Sequence, residues 1–142
     1  MNLNPSLHLL TLCFAALFTA TAHGASTSAG DAAVFFTNIK DGQTVTSPVT
    51  VKFGIRNMEV SPAGVKKSNS GHHHLLINVD DIDLTAPIPS DQHHRHFGKG
   101  QTETTLDLEP GTYELQLLLG DYLHQPHTAP VMSEKITLVV SE

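Results

Sequence analysis

Eight histidines fall into three short clusters: His72, His73 and His74; His93, His94 and His96; His124 and His127. Neutral imidazole is the commonest protein ligand for borderline ions such as Cu(II), Zn(II) and Ni(II). His72 with His74, and His94 with His96, carry a His-x-His spacing. In an extended strand that spacing turns both rings to one face, where they can reach a single ion. His124-Gln-Pro-His127 has a loop spacing in which Pro126 stiffens the approach. The candidate metal ligands are therefore His72, His74, His94, His96, His124 and His127, while His73 and His93 read as structural histidines. Asp91 and Asp121 can complete such a site or orient its imidazoles. Met58 and Met132 offer thioethers that suit Cu(I), although packing is the commoner use of methionine.

The elements that must position these residues begin after an expected signal segment, residues 1–22. Leu9 to Phe18 is an apolar run too short to span a bilayer, and Ala20-Thr21-Ala22 matches a small-x-small cleavage pattern. Cleavage there removes Cys13, the single cysteine, and makes His23 the mature N-terminus. A free N-terminal histidine can chelate copper through its α-amine and ring together, which makes His23 a further candidate. Without a thiolate the mature chain has no His₂Cys blue-copper site. An exported chain without cysteine pairs points to a periplasmic or secreted location, with no membrane span in the mature form.

About 120 residues remain, enough for one cored domain without disulfides. Residues 23–32 are small and polar, a flexible arm, and 33–142 form the domain. The formal net charge of −6 argues against nucleic acid and anionic membrane as main partners. Short β-type runs alternate with turn residues, and no mature stretch holds a helical period. Strands are expected at 34–39, 49–55, 73–79, 82–84, 102–108, 112–119 and 134–140. Seven such strands indicate an all-β, immunoglobulin-like antiparallel sandwich. Leu108-Glu-Pro-Gly-Thr-Tyr113 fits a tyrosine corner between the fifth and sixth strands.

In such an alternation the loops after the second, fourth and sixth strands share one pole. All three histidine clusters then gather there, provided that 82–84 is a strand.

Gly71-His-His-His-Leu-Leu-Ile77, His96-Phe-Gly-Lys-Gly-Gln-Thr-Glu103 and Pro130-Val-Met-Ser-Glu134 together resemble a family of exported bacterial domains of unknown function. The resemblance covers residues 33–140 and implies a small secreted β domain. The architecture also resembles CopC-type periplasmic copper carriers in pattern, but without their motifs.

Three functions follow as expectations. The first is a periplasmic or secreted metal-binding protein, copper ahead of zinc, acting in transport, buffering or delivery. The second is a metal-free domain whose loops bind a protein or glycan in the cell envelope. The third is a His-ligated metalloenzyme of superoxide dismutase type, for which no catalytic residue can be assigned.

Overall fold

The computed structural model describes residues 24–142; the expected signal segment and His23 lie outside them. Nine strands form two packed sheets, an all-β sandwich, with no helix among the described residues. They are β1 (Ala33–Phe36), β2 (Gln43–Thr46), β3 (Val49–Arg56), β4 (Glu59–Val60), β5 (Ser70–Ile77), β6 (His94–His96), β7 (Glu103–Leu106), β8 (Gly111–Gly120) and β9 (Ile136–Ser141). The smaller sheet has the order β1-β3-β7. The larger runs β2-β9-β8-β5-β4, with β6 paired to β5 beyond the end of the two-residue β4.

Alternation decides what each face does. Val49, Val51 and Phe53 of β3 are buried between exposed Thr50 and Lys52. They meet Leu75 and Ile77 of β5 and Leu115, Leu117 and Leu119 of β8 in the main core. Burying a side chain of this size contributes about 1.5–3 kcal/mol. β5 is buried along its whole length because its second face is covered too. On that outer face lie His72, His74 and Leu76, opposite Gly120, Leu118 and Gln116 of β8. Leu76 and Leu118 pack with Ile88 into a smaller cluster, flanked by Val79, Ile82 and Met132. The tyrosine corner forms as expected: the Tyr113 hydroxyl donates to the Glu109 carbonyl at 2.9 Å.

The strand expected at 82–84 does not form. The Asp83 carboxylate accepts from the Thr85 amide at 2.8 Å and from its hydroxyl at 2.6 Å, and this local turn prevails over a short apolar alternation. Ile82 still reaches the smaller cluster, but from a loop. The short strands β2, β4 and β6 were not expected. β2 and β4 pair in parallel with β9 and β5, so these two joins depart from the antiparallel pattern.

Candidate metal centre

The middle histidine cluster arrives at the site by strand pairing. Asp91 Oδ1 accepts from the amides of His93 and His94 at 2.8 and 2.9 Å, turning the chain before β6. β6 then adds to the edge of β5, with His96 opposite His74 and His94 opposite Leu76. His96 therefore shares a face with His72 and His74. The site lies where β5 begins and β8 ends, on the outer face of the large sheet instead of on the loop tips at one pole.

His124 comes from the loop after β8. Its backbone is left-handed, with φ of 62°, an uncommon conformation for a residue other than glycine. Asp121 imposes it: the Asp121 carbonyl accepts from the His124 amide at 3.0 Å. Its Oδ1 accepts from the amides of Leu123 and Gln125 at 2.8 and 3.1 Å. Its Oδ2 accepts from the Ser26 amide at 3.1 Å, so the stretch read as an arm lies along this loop. Burial opposes ionisation of Asp121, but the amides of Gln125, Ser26 and Leu123 together hold its carboxyl below the ordinary range. The His124 carbonyl in turn accepts from the Ile88 amide at 2.7 Å, joining a second loop to the site.

Four imidazoles result, three pairs edge-on and His74 stacked on His96. His72 has ring centroids 4.8, 5.0 and 4.9 Å from His74, His96 and His124. His96 lies 5.0 Å from His74 and 4.4 Å from His124, and His74 lies 6.2 Å from His124. The Nε2 atoms of His96 and His124 stand 2.8 Å apart, so one donates and the other accepts. His72, His74 and His96 each present a ring nitrogen within 4.8 Å of the others, a triad that can hold a metal ion. Metal–imidazole bonds of about 2.0–2.1 Å require the nitrogens to draw inward by about an ångström.

The chain makes room for these rings with glycine. A Cβ on Gly120, opposite His72, would stand 2.7 Å from His74 Cε1, and one on Gly98 would stand 2.6 Å from His96 Nε2.

Burial favours the neutral form of His72, His74 and His96. His72 and His74 have no solvent exposure, and none of their four ring nitrogens has a hydrogen-bond partner. The His72 pKa falls from 6.5 to about 4, first through burial and then through repulsion from His124 and His96, with Asp121 pulling the other way. That of His74 falls further, again mainly through burial. His96 is lowered by burial and by His124. Neutral rings present the lone pair that an ion needs.

The remaining histidines are placed elsewhere. His94 donates from Nδ1 to Asp91 at 2.9 Å. His127 is buried at the edge of the sandwich, where its Nε2 donates to the Ser70 carbonyl at 3.2 Å. His93 donates to the Ile77 carbonyl at 3.0 Å. His73 points into the main core, 5.3 Å from the Phe53 ring. Met58 packs in that core and Met132 against the smaller cluster.

Residues 51–141 match the model of a family described as a domain of unknown function, DUF4399. No curated protein and no solved structure matches the chain. No helix among the described residues is long and apolar enough to cross a membrane.

Proposed function

The chain belongs to the DUF4399 family, and we propose that it is an exported metal-binding protein that holds copper, with zinc second, on His72, His74 and His96, with His124 beside them as a fourth candidate. The observation carrying this reading is the convergence of one ring nitrogen each from His72, His74 and His96 within 4.8 Å of one another, with those of His72 and His74 buried and unpartnered. A buried polar atom without a partner costs about 1–3 kcal/mol. Against a total stability of about 5–15 kcal/mol, that is a large penalty to carry for packing alone. An ion would take the lone pair of each neutral ring and offset the cost at that nitrogen.

Affinity order among imidazole sites favours copper over zinc. Transport, buffering or delivery in the periplasm or outside the cell suits a site that binds without an assigned catalytic group. A metal-free hydrogen-bonded network is the reading that these orphaned nitrogens disfavour, because such a network would pair them. His94 and His127, paired with Asp91 and Ser70, are assigned supporting positions.

The test is elemental analysis of untagged protein, joined to a thermal-shift series with Cu(II) and Zn(II). Wild type should gain stability as RT ln(1 + [L]/Kd), and His74→Ala and His96→Ala should lose most of that gain. Identical responses from all three proteins would remove the site.

A further inference from the structure

The loop that carries His124 is bordered by two others. On one border the Tyr122 carbonyl accepts from the Gly64 amide at 2.9 Å. The Gly98 carbonyl, just after β6, accepts from the Ala63 amide, also at 2.9 Å. On the other border the His124 carbonyl accepts from the Ile88 amide at 2.7 Å, and Leu84 lines a cleft with Gln125 and Pro126. Residues 121–127 therefore run between residues 62–66 and residues 84–88.

Exposed apolar side chains collect along this crossing. Among the described residues, the large hydrophobic side chains left exposed are Phe35, Val65, Leu84 and Leu123. Phe35 belongs to the small sheet, but the other three stand on these neighbouring segments, with Leu123 on the middle one. His96 and His124, the half-exposed members of the histidine cluster, border the same surface. Grouped apolar exposure of this kind marks a contact surface, whereas single scattered side chains do not.

The charges at the two ends have opposite sign. Lys66 follows Val65 and Lys99 follows Gly98, and neither has a carboxylate partner among the described residues. Lys66 instead lies 5.5 Å above the Tyr122 ring, while Lys67 is neutralised by Glu59. At the other end Asp83 precedes Leu84, and Asp91 closes the same loop; both are exposed. Asp83 accepts from Thr85 and Asp91 from His93 and His94, with no Lys or Arg paired to either. Asp121, between the ends, is buried and spends its oxygens on amides.

Across the surface the order is thus Lys66, Val65, Leu123, Leu84, Asp83. Rotated by half a turn about Leu123, that row complements itself. Lys66 then faces Asp83, Val65 faces Leu84, and Leu123 faces its own counterpart. Twofold dimers use such patches, in which one residue meets a second and the second meets the first. A partner of uniform charge would meet like charge at one end.

We infer that two copies of this chain pair through this face, with Leu123 near the twofold axis. The pairing covers His96 and His124, where the histidine cluster meets solvent. It goes beyond the metal-binding reading and requires no ion.

The experiment uses the untagged, metal-free protein in sedimentation velocity from micromolar to millimolar concentration. Wild type should show a monomer–dimer equilibrium that weakens with added salt. Leu123→Asp should weaken the dimer by at least about 100-fold, and Lys66→Glu or Asp83→Lys by about tenfold each. An equimolar mixture of Lys66→Glu and Asp83→Lys should pair as tightly as wild type, because opposite charges again meet at both ends. Mixing cannot repair local damage from either substitution, so that rescue reads the contact itself. Diethyl pyrocarbonate should modify His96 and His124 more slowly in wild type than in Leu123→Asp at the same concentration.

A wild type that stays monomeric at millimolar concentration overturns the proposal. So does a dimer untouched by Leu123→Asp, or a mixture that fails to pair. Each outcome is read without metal, so the metal centre stands or falls on its own titration.

Discussion

His96 and His124 meet Nε2 to Nε2 at 2.8 Å, although one ring belongs to a strand edge and the other to a loop 28 residues later. One nitrogen must carry a proton and the other must not. Each ring also lies beside His72, so the pair closes the site in the metal-free protein. In ¹⁵N-resolved spectra of the metal-free form, one of these Nε2 atoms should show a bonded proton and the other none. Adding an ion should leave both Nε2 atoms unprotonated. Spectra unchanged by metal would show that this pair does not take part in binding.

The two glycines predict different outcomes. Gly120→Ala brings a Cβ against His74, a fully buried ring with nowhere to move. It should lower stability by about 1–3 kcal/mol and weaken metal binding. Gly98→Ala strikes His96, which is half-exposed and can swing outward. That variant should fold with little loss yet bind metal several-fold less tightly. Chemical denaturation and metal titration of the two proteins, run side by side, check the contrast.

His73 separates folding from binding. Both its nitrogens are buried without partners in the main core, and burial lowers its pKa from 6.5 to about 4. The unfolded chain therefore binds more protons between those values. Stability is full above about pH 6.5 and is lost as pH falls toward about 4. His73→Leu should remove its own share of this loss, leaving the shares of His72 and His74, and stabilise the protein by about 1–3 kcal/mol with metal affinity unchanged. Urea midpoints from pH 4 to 8 would contradict the assignment if the variant kept the wild-type slope.

Asp121 is the clasp of the His124 loop. Asp121→Ala strands the amides of Leu123, Gln125 and Ser26, which should cost about 2–4 kcal/mol. Freed of its tether, the segment near Ser26 should become open to limited proteolysis, and metal should bind less tightly. Proteolysis rates and affinities equal to wild type would show that the loop holds itself.

Much of the fold was legible in local pattern. The period-two burial of Val49, Val51 and Phe53 marked β3, and Leu115 to Leu119 marked β8. Tyr113 announced its corner through the residues just before it. Within the site, the shared face of His72 and His74 follows from strand geometry alone. The turn at Asp83 was misread because two apolar residues around one aspartate look like a strand until its hydrogen bonds are counted.

By itself, then, the sequence determined the sandwich class, the face carrying His72 and His74, and a pool of imidazoles. Tertiary structure alone brought His96 and His124 out of that pool to lie beside His72, and left His94 and His127 facing Asp91 and Ser70. Residues within a strand are related by a period that their order along the chain reveals. Partners on different elements are related by register and loop closure, which depend on the whole chain's packing: β6 had to find the β5 edge, and Asp121 had to bend His124 toward it.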